Sequence, residues 1–200
     1  MQKVQDNESS SKLEVHKTTD FVGEDKSKVS PGRYKGKLRL FLIVVALVAV
    51  LDQLSKLWVR ANLFQPDKIE LVPGFLDLVH VENTGGIFGL LSSHTELLIA
   101  LGIAGAVIIL VFLYYFPPVN NVGVVSFALI LGGVAGNLID RIRLSCVTDF
   151  ISIHWLKHFY WPPFNIADAA LVAGIFILIY YFYKSGVFRK AYERKHSPQN

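Results

Sequence analysis

The stretch that decides the fold runs from Gly132 to Asp168 and reads GGVAGNLIDRIRLSCVTDFISIHWLKHFYWPPFNIAD. It leaves one long apolar segment and enters the next, so we expect two membrane-spanning helices joined across an interface. Several polar side chains lie within or between these segments: Asn137, Asp140, Arg141, Asp149, Asn165 and Asp168. Ionisable groups at membrane depth are costly, so this stretch is the first place to look for a functional site.

The composition of the whole chain is typical of a membrane protein. Of its 200 residues, 52% are hydrophobic, and the mean hydropathy is +0.41. An ordinary soluble domain is less apolar. The net charge of +4 comes without a basic face interleaved with aromatic residues, so nucleic-acid binding is not expected. The single cysteine, Cys146, excludes an intramolecular disulfide and a cysteine-rich metal site.

Four apolar segments are long enough to cross a bilayer of roughly 30 Å. They cover residues 38–60, 97–116, 119–139 and 164–183. Lys and Arg cluster before the first and after the last, so the positive-inside rule places both termini in the cytoplasm. We therefore predict three parts: a disordered polar cytoplasmic tail (1–37), a four-helix transmembrane domain (38–184) and a basic cytoplasmic tail (185–200).

The connection between the first two segments predicts a small β element. Residues 75–82 (FLDLVHVE) partly alternate between apolar and polar, as a short strand would, and Pro73-Gly74 marks a turn before them. The glycines in 83–89 (NTGGIFG) allow close backbone approach, although a plain hairpin turn explains them equally well. The predicted fold class is an all-α membrane protein with four transmembrane helices and an extracytoplasmic β/loop element at about 66–92.

This topology places most of the polar groups of the apolar segments and their connections at the same depth in the membrane. The ends of the first and third segments and the start of the fourth meet at the extracytoplasmic face. The groups expected there are Asp52, Lys56, Asn83, Asn137, Asp140, Arg141, Asp149, Asn165 and Asp168. The inner halves of the segments are almost purely apolar. That pattern disfavours the chief rival function, a small ion-coupled transporter with an Asp/Lys relay, and a non-catalytic membrane scaffold is a further alternative.

Two carboxylates in a poorly solvated site can share one proton, and such a pair can hydrolyse a peptide bond without a metal. Asp52 lies one helical turn from Lys56, and Asp140 is followed by basic residues, so we expect both to stay ionised. Asp149 and Asp168 have no such neighbours in the sequence. We predict that these two form the pair.

Other interpretations are less well supported by the sequence. Ser92, Ser93 and His94 lack the context of a nucleophilic serine. His154 and His158 have a spacing that could bind a metal on a helix, but the Glu of H-E-x-x-H is missing, so no metal is expected. For Cys146 we expect a buried structural role.

Two features also have purely structural explanations. Asp52 and Lys56 could form an ion pair that serves only itself. The glycines at 132, 133 and 136 form a small-xxx-small pattern, which close helix packing explains.

The ordered motifs resemble those of the lipoprotein signal peptidases (signal peptidase II), which are bacterial membrane aspartyl peptidases. The resemblance runs from about residue 38 to 183. It rests on D-Q-L-S-K at 52–56, N-T-G with Phe88 at 83–88, G-G-V-A-G-N-L-I-D-R at 132–141, V-T-D-F at 147–150 and F-N-I-A-D at 164–168. Gly86-Ile87 and Ser145-Cys146 depart from the usual pattern.

The resemblance implies that Asp149 and Asp168 are the catalytic dyad and that no cofactor is needed. It implies a structural role for Asp140. Supporting roles fall to Asp52, Lys56, Asn83, Gly133, Asn137, Arg141 and Asn165. The implied substrates are prolipoproteins, cleaved just before a cysteine that carries diacylglycerol. The implied setting is a monomer in contact with lipid in the bacterial cytoplasmic (inner) membrane, with its site towards the extracytoplasmic face.

Overall fold

Four long helices dominate the computed structural model, which describes residues 31–85, 94–115, 117–155 and 159–185. The helices are α1 (Pro31–Asn62), α2 (Thr95–Tyr115), α3 (Asn121–Leu144) and α4 (Ile166–Ser185). Each contains a segment long and apolar enough to cross a membrane, which confirms the prediction of four long apolar helices. α1 already includes residues 31–37, and the rest of the two predicted tails, 1–30 and 186–200, lies outside the described residues. Residues up to Leu38 form a unit separate from Arg39–Asn200, and all contacts below lie within the second unit.

The outward surfaces of the helices are apolar. α2 has no buried residue, and large side chains such as Leu42, Ile108 and Phe176 are 56%, 66% and 68% exposed. So much exposed apolar surface is unusual in a soluble monomer but is what lipid contact requires. The helices therefore fit a multi-pass membrane protein.

Glycines let α3 pack closely against both α1 and α4. A Cβ built on Gly132 would lie 2.8 Å from the Cβ of Val48 in α1, and one on Gly133 would strike the main-chain oxygen of Ala167 in α4. A Cβ on Gly136 would lie 2.6 Å from Oδ2 of Asp52. The predicted packing role of these glycines is confirmed, and it brings three helices together at the level of Asp52.

The strands form one antiparallel sheet in the order β1–β2–β3–β4. Their bounds are β1 (Lys68–Val72), β2 (Leu76–Asn83), β3 (Val147–Trp155) and β4 (Phe159–Tyr160). The β1–β2 hairpin turns at Gly74, whose φ of 70° suits glycine. Val59 of α1 and Leu63, the residue directly after α1, pack with Phe150 of β3 and hold the sheet against the end of α1.

The prediction of a β element at about 66–92 is incomplete. It covers β1 and β2, and residues 86–92 lie outside the described part of the chain. The sheet, however, also contains β3 and β4, which lie in the stretch that the sequence analysis treated only as a connection between the third and fourth apolar segments. The sequence of β3 does not alternate regularly. Asp149 is a polar residue on the otherwise apolar face of the strand, and Phe150 is an apolar residue on the otherwise polar face. The strand pairs with β2 far back in the chain, with Val81 opposite Asp149.

α3 ends at a residue in the left-handed conformation, which turns the chain into β3. Ser145 has φ 61° and ψ 6°, and its N–H donates to the carbonyl oxygen of Arg141. Glycine is the usual residue at this position of a helix end, because a Cβ is disfavoured there.

We expect Ser145→Gly to stabilise the protein by roughly 0.5–1 kcal/mol, because it removes the strain of a side chain at positive φ. The free energy of unfolding in detergent would measure the effect. The matched control is Ala173→Gly on the exposed face of α4, which should destabilise by about 1 kcal/mol. A loss of stability in Ser145→Gly would contradict this account of the helix end.

Candidate active site

Asp168 is fixed by the way in which α4 begins. The side-chain oxygen of Asn165 accepts a hydrogen bond from the N–H of Asp168 at 2.9 Å. In return, Oδ2 of Asp168 accepts from the N–H of Asn165 at 3.2 Å. This reciprocal arrangement is a capping box, which satisfies free N–H groups at a helix start. The F-N-I-A-D motif therefore places the Asp168 carboxylate in the first turn of α4.

Asp149 lies on β3 and is only 2% exposed. Its Oδ1 accepts from Nδ2 of Asn165 at 2.7 Å, and its Oδ2 accepts from Nδ2 of Asn83 at 2.8 Å. Burial raises the pKa of Asp149 to about 6, and the charge of Asp168 acts in the same direction. The two asparagine hydrogen bonds and the charge of Lys56 oppose that rise.

Two asparagines connect the carboxylates of Asp149 and Asp168. Nδ2 of Asn137 donates to Oδ1 of Asp168 at 2.7 Å. The amide of Asn165 reaches both Asp149 and, at 3.1 Å, Oδ1 of Asn137. Each of the four carboxylate oxygens therefore accepts a hydrogen bond from a defined N–H group. The two predicted carboxylates belong to one polar network, in which Asp149 is buried and Asp168 is half-buried.

Lys56 is the charged centre of this network and is completely buried. Its ammonium lies 2.8 Å from Oδ2 of Asp52 and 3.1 Å from Oδ2 of Asp140, and it donates to Oδ1 of Asn137 at 3.0 Å. These three contacts use all of its hydrogens. The other oxygen of Asp52 accepts from the N–H of Ala167 at 2.9 Å. The predicted Asp52–Lys56 pair is confirmed, and it joins α1 to α3 and α4 rather than serving only itself.

The cationic neighbours of Asp140 differ from those predicted. They are Lys56 and, at 3.7 Å, Arg60, both from α1. The sequence indicated Arg141 and Arg143, but consecutive residues of a helix point in different directions. Arg141 lies near the carboxylates of Asp149 and Asp168, and the charges of these two and of Asp140 act on it.

Arg141 has unused hydrogen-bonding capacity beside the carboxylates. Within the described part of the chain, its Nε is buried without a hydrogen-bond partner. A guanidinium with a free donor can bind a carbonyl or carboxylate oxygen of another molecule. Gly133, also predicted as a support, contributes differently: it lets the main chain of α4 approach α3 at Ala167 and Leu171.

A metal site at His154 and His158 is not supported by the observed secondary structure. His154 lies on β3 rather than on a helix, and its Nε2 contacts Oδ2 of Asp77 at 2.9 Å. His158 lies outside the described residues. Among residues 31–85, 94–115, 117–155 and 159–185, no three His, Cys, Asp or Glu side chains form a group that could hold a metal.

Cys146 and the serine alternative receive no support as nucleophiles. Cys146 is partly rather than fully buried, and desolvation raises the pKa of its thiol, which disfavours the reactive thiolate. Ser92 and Ser93 lie outside the described residues.

Sequence reasoning missed three polar residues of the network. Nε2 of Gln53 donates to Oδ1 of Asp140 at 3.0 Å and to the carbonyl oxygen of Gly136 at 3.1 Å. Arg60 donates to the hydroxyl of Thr148 at 2.7 Å. One signal was available for Arg60: it follows Lys56 by four residues and so lies on the same face of α1.

The structure combines four apolar helices that fit a membrane protein with a polar network that joins buried Asp149 to half-buried Asp168. A family model described as signal peptidase (SPase) II matches residues 44–184. The lipoprotein signal peptidase of Moorella thermoacetica is 42% identical over 139 residues, covering 69% of this chain and 89% of the relative. That of Syntrophotalea carbinolica is 36% identical over 159 residues, covering 78% and 98%. The chain therefore belongs to the signal peptidase II family of proteases, as its motifs predicted.

Solved structures show the same fold. One, described as a bacterial membrane enzyme determined by the in meso method at 1.9 Å, gives a TM-score of 0.64 at 27% identity and covers 70% of this chain and 89% of its own. A second, with the same description at 2.3 Å, gives a TM-score of 0.65 at 24% identity and covers 80% and 92%.

We expect Lys56→Met to destabilise the protein by about 3–5 kcal/mol, because it leaves two buried carboxylates without their shared cation. Unfolding in detergent would measure the loss. Lys184→Met is the matched control: Lys184 is exposed at the far end of α4, so the same replacement should change stability by less than about 0.5 kcal/mol. Equal stability of the two variants would contradict the role given to Lys56.

Proposed function

We propose that this chain is an aspartic endopeptidase that removes signal peptides from prolipoproteins, cleaving before a cysteine that carries diacylglycerol. The observation that carries the proposal is the joining of Asp149 and Asp168, from different elements, through the amides of Asn165 and Asn137. Family membership supplies the substrate class, because the relatives are named lipoprotein signal peptidases.

The surroundings of the two carboxylates assign them different roles. Asp168 lies in the first turn of α4, where the positive end of the helix dipole stabilises a negative charge. Asp149 is buried, and its pKa is raised to about 6. In our mechanism Asp168 is ionised and takes a proton from the attacking water. Asp149 is protonated, and its proton stabilises the carbonyl oxygen of the scissile bond.

The reaction then proceeds in two steps without a covalent intermediate. As Asp168 removes a proton, the oxygen of the water bonds to the scissile carbonyl carbon, and the Asp149 proton stabilises the carbonyl oxygen. Asp168 then donates the proton that it took from the water to the leaving nitrogen, and the carbon–nitrogen bond breaks. The products are a carboxyl group on the signal peptide and an amino group on the lipid-modified cysteine, and the pair again holds one proton.

The neighbouring residues have supporting roles in this proposal. Asn83, Asn137 and Asn165 orient the two carboxylates through the hydrogen bonds described above. We assign Arg141, whose Nε has no hydrogen-bond partner within the described residues, to bind the substrate backbone. The Lys56 network, including Asp52 and the structural Asp140, holds the helices that carry the site.

We place the enzyme in the bacterial inner membrane with its site towards the extracytoplasmic face. The basic residues at both ends of the chain support that orientation. A substrate held in the outer leaflet by its lipid and its signal helix would reach carboxylates at that level. We propose that the enzyme works as a monomer in contact with membrane lipid.

Asp149→Asn and Asp168→Asn should each lower the cleavage rate by about 10²–10⁴-fold or more, because each removes an acid or base of the reaction. Cleavage would be followed as the size change of a diacylglyceryl-modified prolipoprotein in detergent micelles. Asp67→Asn, which alters an exposed carboxylate beside β1, should cleave like the parent protein. Chelators should leave the rate unchanged. Full cleavage by either dyad variant, or inhibition by chelators, would defeat the mechanism.

Cleavage should weaken as pH rises through the pKa of Asp149, because the mechanism needs this carboxyl protonated. The hydrogen bond from Asn83 lowers that pKa. Asn83→Ala should therefore raise it and move the alkaline limb of the kcat/KM profile to higher pH. Asn62→Ala, at an exposed site on α1, should leave the limb in place. A limb that stays or moves to lower pH in Asn83→Ala would contradict the role assigned to Asp149.

A further inference from the structure

We infer that Arg60 and Thr148 are positioning residues for Asp149, an inference that rests on the proposed function. Asp52, Lys56 and Arg60 follow one another at intervals of four residues and so share one face of α1. Nη1 of Arg60 donates to Oγ1 of Thr148 at 2.7 Å and lies 3.7 Å from Oδ1 of Asp140. Arg60 thus extends the buried polar network of α1 to the start of β3.

Thr148 is held from two sides. It is completely buried, and its hydroxyl accepts the hydrogen bond from Arg60 on α1. Its main-chain N–H donates to Oδ2 of Asp140 on α3 at 3.2 Å. Both contacts fix the residue that directly precedes Asp149 in the strand. They therefore set where the carboxylate-bearing part of β3 lies relative to α1 and α3.

The alternation of side chains along β3 indicates that Arg60 and Thr148 position Asp149 without taking part in catalysis themselves. Adjacent residues of a strand point to opposite faces, so the side chains of Thr148 and Asp149 point apart. Arg60 contacts Thr148 from the face away from the Asp149 carboxylate. We therefore assign no contact with the substrate to Arg60 or Thr148: they act through the backbone of β3.

A simpler explanation for Arg60 accounts for less of the structure. Arg60 lies in the last turn of α1, where a cation interacts favourably with the helix dipole. That position alone does not require a hydrogen bond to a buried hydroxyl. An unpaired buried hydroxyl is costly, so the contact with Thr148 is a specific connection rather than a surface charge.

The decisive variant is Thr148→Val, which keeps the shape of the side chain but cannot accept the hydrogen bond from Arg60. We expect kcat to fall about tenfold with KM unchanged, because a small displacement of a reacting group slows the chemical step. Thr148→Ser retains the hydroxyl and should stay within about twofold of the parent. Arg60→Gln combined with Thr148→Val should be no slower than the slower single variant, because both remove one shared contact.

The outcomes separate this inference from the proposed function. If the parent protein cleaves the prolipoprotein but Thr148→Val keeps the parental kcat, the inference is wrong and the proposed function stands. A raised KM with unchanged kcat, or additive losses in the double variant, would equally overturn it. Parental unfolding temperatures in detergent for Thr148→Val and Thr148→Ser would exclude general unfolding as the cause.

A substrate-free measurement tests the same contact if the parent protein cleaves nothing. Cys146 is the only cysteine in the chain and lies two residues before Thr148. Loosening the start of β3 should speed alkylation of its thiol in Thr148→Val, with no change in Thr148→Ser. Equal alkylation rates in the parent and Thr148→Val would overturn the inference.

Discussion

The buried ammonium of Lys56 is the interaction on which the rest of the structure depends. A charge in an apolar interior is tolerated only when it is fully paired and hydrogen-bonded. Its partners Asp52, Asp140 and Asn137 come from two helices, and Asp52 also binds the first turn of α4. α1, α3 and α4 are therefore held in register by hydrogen bonds, and the glycine at 136 makes room for them.

Neutral asparagine amides connect the Lys56 network to the carboxylates of the proposed dyad. Asn137 accepts from the Lys56 ammonium with its oxygen and donates to Asp168 with its nitrogen, so the cation fixes which way the amide faces. Asn165 continues the chain of hydrogen bonds to Asp149. Amides suit this task because they orient a carboxylate without adding a charge to a pair that must share one proton.

The sequence predicted what depends on local pattern and missed what depends on distant partners. Apolar segment length was enough to locate the four helices, and four-residue spacing was enough to pair Asp52 with Lys56. The strand that carries Asp149 was missed because its partner β2 lies far back in the chain and its faces do not alternate cleanly. The ion-pair partners of Asp140, Lys56 and Arg60, were missed because they come from a different helix. The catalytic role of the carboxylates stays a prediction.

The capping box at the start of α4 limits which residues can replace Asn165. Helix starts generally tolerate exchange among serine, threonine, aspartate and asparagine, since each offers a side-chain acceptor oxygen. Asn165 uses its oxygen for the cap and its nitrogen for Asn137 and Asp149. Serine or aspartate would still begin the helix but could not supply both amide hydrogens. One side chain thus serves helix initiation and the carboxylate pair at once, so a substitution that preserves the helix start can still remove the hydrogen bonds to Asn137 and Asp149.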